Sequence, residues 1–130
     1  MIKGKTVKSV EQFEREFYPE SLLERLTKKL VFHLFPVSEG AHTIKYSLSK
    51  NENNPKTGSI EILKPESLDY ENYGNGIEEI IINFYKGEGY KVEKVRNSIT
   101  VNSPEIQKKK EDYTIYVFED KNSYNIRITL

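Results

Sequence analysis

Residues 76–95 read GIEEIIINFYKGEGYKVEKV, with Gly87 and Gly89 one residue apart between lysines. Two readings compete: a loop that cradles phosphate, or the place where one element stops and another begins. Spacing decides between them. Ile77, Ile80, Ile81 and Phe84 recur at helical intervals, Glu78 and Glu79 fall in the first turn, and Lys86 falls in the last. A helix is therefore predicted, with Gly87 in the left-handed position just beyond it. A phosphate loop needs the opposite order, with a strand, then glycines, then a helix whose N-terminus faces the anion. Gly74 and Gly76 do precede the helix, but no strand pattern leads into them, and two glutamates already occupy the positive end. The glycines are punctuation, and YKVEKV after them switches to period two.

Working towards the N-terminus, Ser9 with Gln12 reads as a capping box that opens a short helix carrying Val10, Phe13 and Phe17 and ending near Tyr18. Pro19 suits the first turn of a second helix. Leu23, Leu26, Leu30 and Leu34 form its apolar stripe, Glu24 and Lys28 make an i,i+4 pair, and Pro36 stops it. Residues 1–8 read as a loose arm or an edge strand. Ile44, Tyr46 and Leu48, then Ile60 and Ile62, alternate with polar residues on either side of a turn-rich loop, which predicts a hairpin. Towards the C-terminus, YKVEKV and ITV flank a turn at Arg96–Asn97–Ser98, and YTIYVFED and SYNIRITL flank another near Lys121–Asn122. The expectation is a single α+β domain over residues 1–130. It has two layers: a mainly antiparallel sheet of about five to six strands, with two or three helices on one face.

Composition narrows the function classes. Twenty basic and twenty acidic side chains cancel, so no global field draws the chain to nucleic acid or an anionic membrane. The absence of cysteine removes disulfides, thiolate metal sites and thiol nucleophiles. No stretch approaches the roughly 18–20 apolar residues of a membrane span, and the start lacks a signal-peptide core. An intracellular, cytoplasmic protein is expected, with no membrane association.

Four constellations could carry function. Glu119, Asp120 and Lys121 end an apolar strand, as the acidic-x-Lys string of restriction-type nucleases does. Asp112 lies seven residues upstream on the same run, roughly 20 Å away, too far to share an ion, so Asp69 would have to complete a site with Glu119 and Lys121. His33 and His42 lack ligands at metal spacing, and neither has a serine placed as a nucleophile. Lys108, Lys109 and Lys110, with Lys91, Lys94 and Arg96, could meet phosphates if the sheet brought them to one face. The tyrosines are the fourth. Tyr113, Ile115 and Val117 point one way from their strand, and Thr114, Tyr116 and Phe118 the other, so both faces need cover. Tyr70 and Tyr73, in an irregular loop, add candidate aromatic surface.

The leading expectation is a non-enzymatic binding or accessory protein, of the kind carried by viruses and mobile elements. It would recognise a protein partner, or its own copy, through Tyr113, Tyr116, Phe118, Tyr70 and Tyr73 or through a strand edge. A nucleic-acid-binding module using the lysine-rich half is the alternative. A metal-dependent nuclease is a second alternative. No cofactor and no metal site are expected.

Overall fold

The Ser9 hydroxyl accepts the backbone N–H of Gln12 at 3.1 Å, and Gln12 Oε1 accepts that of Lys8 at 2.8 Å, so two donors at a helix start are satisfied from side chains. That cap opens α1, Val10–Glu16, in the computed structural model, which describes residues 2–35, 43–54, 56–64, 76–103 and 112–130. The second helix, α2, spans Leu22–Leu34. Its cap is Ser21, whose Oγ accepts from Glu24 N at 3.2 Å and donates to Glu24 Oε1 at 2.9 Å. Pro19 therefore stays in the link rather than in the first turn: it offers no side-chain acceptor, and the serine two residues later does.

The third helix, α3, spans Ile77–Gly87. Its end differs from expectation in one respect. The left-handed residue is Gly89, at φ 92°, while Gly87 remains helical. Gly89 N donates to Lys86 O at 3.1 Å and Tyr90 N to Tyr85 O at 3.0 Å, the bond pair of a Schellman motif. The Tyr85 and Tyr90 rings close over it edge to face, with centroids 5.7 Å apart.

Seven strands complete the described fold: β1 Ile2–Val7, β2 Ile44–Lys50, β3 Gly58–Leu63, β4 Lys91–Val95, β5 Ser98–Asn102, β6 Tyr113–Glu119 and β7 Ser123–Thr129. They form one sheet in the order β1-β2-β3-β7-β6-β5-β4, and every neighbouring pair is antiparallel. The α+β expectation holds, with seven strands rather than about five or six. The added strand is β1, which exists because residues 2–7 pair with β2.

Alternation divides the sheet. Ile44, Tyr46, Leu48, Ile60, Ile62, Ile99, Val101, Ile115, Tyr124, Ile126 and Ile128 are buried on one face. All three helices lie there. Phe13 of α1 and Phe17 just beyond its end meet the Tyr46 ring edge-on at 5.4 and 5.8 Å, the leucines of α2 join the same core, and α3 lies over β4 and β5. No helix among the described residues is long and apolar enough to cross a membrane.

Candidate functional site: the uncovered face of the sheet

Cross-strand register assigns the opposite face, which none of the described helices covers, residue by residue. Pairs run Ser47–Glu61 and Ser49–Ser59 in the β1 half, then Ser59–Arg127 and Glu61–Asn125 across the centre. On the far side Tyr116 stands between Arg127 and Ser98, Phe118 stands opposite Asn125, and Thr129, Thr114 and Thr100 form a transverse row. Hydroxyls and amides dominate, and the charges are mixed, with Lys45, Arg127 and Lys91 against Glu61 and Glu93.

Two aromatic rings break this polar ground. Tyr116 is 37% and Phe118 52% exposed, and their rings lie near-parallel, 16° apart in plane with centroids 6.2 Å apart. They are neighbours on one face because residues two apart on a strand point the same way. Val95, at the end of β4, is a third exposed apolar side chain on this face, 50% exposed. Side by side, the two half-exposed rings and Val95 give this face its apolar surface.

The other expected binding residues distribute differently. Tyr113 is 2% exposed and on the helix-covered face, where Tyr90 meets its ring at 6.2 Å. It is a core residue and leaves the aromatic surface. Period two places it opposite Thr114 and Tyr116 in direction. Tyr70 and Tyr73 lie outside the described residues.

The lysine cluster is divided as well. Lys91 and Lys94 sit three apart on β4, so they emerge from opposite faces: Lys91 beside Glu93 on the uncovered side, Lys94 on the helix side in an ion pair with Glu78. Arg96 lies in the two-residue turn at φ 43°, exposed. Lys108, Lys109 and Lys110 lie outside the described residues.

At the nuclease-like string, Glu119 binds Lys64 Nζ at 2.9 Å, and Lys64 also donates to Asp120 O at 2.8 Å while its ammonium sits 4.8 Å from the Tyr124 ring centroid. Asp120 is a turn residue. Its Oδ1 accepts the backbone N–H of Asn122 and of Ser123, both at 2.8 Å, and these bonds hold the carboxyl below its ordinary range. Lys121 is exposed, and Asp69 and His42 lie outside the described residues. His33, half-buried near the end of α2, lies beside Gly76. Among the described residues no three of His, Asp or Glu gather in a metal-binding arrangement.

Sequence reasoning did not single out Lys64, Arg127, Val95 or the threonine row. Lys64 acts across β3 and the β6–β7 turn, and the row exists only in the register of β5, β6 and β7. On the helix side, a shallow groove of about 550 Å³ runs between α2 and α3, lined by Arg25, Lys28, Phe32, Phe84 and Glu88. Arg25 pairs with Glu88 there, Lys28 lies 5.7 Å from the Phe32 ring centroid, and Lys29 also lines the groove.

Comparison with protein-family models, with curated proteins and with solved structures finds no match to this chain.

Proposed function

We propose that this chain is an intracellular, non-enzymatic binding module that holds a protein partner against the uncovered face of its sheet. The observation that carries the reading is the Tyr116–Phe118 pair, two exposed, stacked rings on the face opposite the three described helices. Tyr and Phe supply contact area at low entropic cost, and the serine, threonine and asparagine side chains around them supply adaptable hydrogen bonding. The mixed charge of that face suits a protein surface better than a polyanion, which would meet Glu61 and Glu93 among the cations. A cysteine-free composition fits a reducing compartment.

The test is a photo-crosslinking side chain, p-benzoylphenylalanine, placed at Tyr116 and, as a control, at exposed Glu14 of α1. A discrete protein adduct at position 116 but not at position 14 is expected, and it should vanish when Phe118→Ser is added. Equal labelling from both positions, or none from position 116, sinks the reading. The adduct mass separates a second copy of the chain from a different protein.

A further inference from the structure

The β4 edge offers a surface independent of the rings, since Tyr116 and Phe118 lie two strands further in. β4 is bonded only to β5 among the described strands, with Lys91, Glu93 and Val95 on the uncovered face and Val92 and Lys94 on the helix side. Val95 and Ser98 close a two-residue turn, which makes them a hydrogen-bonded pair, and Glu93–Thr100 and Lys91–Asn102 follow by alternation. The side chains agree: Ser98 Oγ donates to Val95 O and Thr100 Oγ1 to Glu93 O, both at 3.3 Å, so those carbonyls face β5. The backbone N–H and C=O groups of Val92 and Lys94 are left pointing away from the sheet, where another strand can take them.

We propose that β4 pairs antiparallel with β4 of a second copy, about a twofold axis through Val92. A twofold that continues the sheet keeps each face on its own side, so only registers of even sum are open. An axis through Glu93 sets Glu93 against its own copy, and one through Lys94 does the same with Lys94. Like charges directly opposite are destabilising. An axis through Val92 sets Lys91 against the second copy's Glu93, twice by symmetry, and buries Val92 against itself beside the core it already touches. The axes at the ends of β4 fare no better, since one through Lys91 sets Lys91 against its own copy and one through Val95 sets Lys94 against Arg96. Charge complementarity therefore selects the Val92 register. The charged edge does not bar pairing in general; it bars the wrong pairings.

Charge exchange tests the register. Wild-type protein is expected to sediment as a reversible dimer between micromolar and millimolar concentration. Lys91→Glu and Glu93→Lys each place like charges opposite one another and should weaken dimerisation by about tenfold. The double exchange, Lys91→Glu with Glu93→Lys, restores both pairs and should recover the wild-type constant. Circular dichroism checks that each variant is folded. The chain has no cysteine, so Val92→Cys adds a single thiol. Across the axis its Cα would stand about 5.5 Å from its copy, within the span of a disulfide. Oxidation should then cross-link Val92→Cys faster than Glu93→Cys or Lys94→Cys. A wild-type monomer throughout, single variants that dimerise normally, a double exchange that does not recover, or faster cross-linking at 93 or 94 would each overturn the pairing.

Discussion

Glu24 in the first turn of α2 is ion-paired with Lys50, the last residue of β2, and also accepts Ser21 Oγ at 2.9 Å. One carboxylate thus holds the capping serine of a helix and ties that helix to the sheet. Burial alone pushes the Glu24 carboxyl up, but hydrogen bonds from Lys50 and Ser21 outweigh it and hold the group below its ordinary range.

A group with a lowered folded-state pKa stabilises the fold above its unfolded-state pKa, about 4.3 for glutamate, and loses that contribution as pH falls through the folded-state value. Lys50→Met keeps the apolar stem and removes the charge. At neutral pH the variant is expected to be less stable by about 0.5–1 kcal/mol, a gap that closes in acid. Urea unfolding from pH 7 downwards checks this; a gap of constant size would assign the effect to packing rather than charge.

Gly87 and Gly89 should respond to alanine with opposite signs. At Gly87, inside the helix, an added Cβ meets nothing within 4 Å, so Gly87→Ala is expected to stabilise by about 0.5–1 kcal/mol. Gly89→Ala puts a Cβ on a residue at φ 92° and should cost about 1–2 kcal/mol. Urea midpoints of the two variants on either side of wild type confirm the helix end; the reverse order refutes it.

That end also marks how far local sequence can be read. Ile77, Ile81 and Phe84 announce α3 because helical spacing is a local property, and all three are buried. Which glycine turns left-handed is decided by the Tyr90 to Tyr85 bond and the ring contact over it, and either glycine satisfied the local pattern. Residues 2–7 read equally as a loose arm or an edge strand, and it is pairing with β2 that makes them the strand. At the candidate site, the direction of Tyr116 and Phe118 followed from period two. Arg127 beside Tyr116 did not, because it depends on how β7 lies against β6.

Tyr113 and Phe118, five residues apart on β6, should separate folding from surface. Tyr113→Ala empties a buried site and is expected to cost about 3–5 kcal/mol. Phe118→Ala removes a half-exposed ring and should cost under about 1 kcal/mol. Thermal unfolding of the two variants checks the pair. A large loss at Phe118 would mean that its ring supports the fold, and the case for a reserved contact surface would fall with it.

Tyr85 offers the reverse experiment, a truncation that should not harm the fold. Its side chain is 1% exposed, packed against Phe84 and Tyr90, and its hydroxyl has no hydrogen-bond partner among the described residues. Burial, with Tyr90 adding to it, pushes its ionisation far above that of an ordinary tyrosine, so the hydroxyl is neutral at physiological pH. An unpartnered buried hydroxyl carries a desolvation cost of about 1–3 kcal/mol, which phenylalanine avoids with nearly the same ring. Tyr85→Phe is therefore expected to leave the urea midpoint unchanged or raise it, by up to about 1 kcal/mol once the small void is counted. A clear loss of stability would show that the hydroxyl finds a partner in solution.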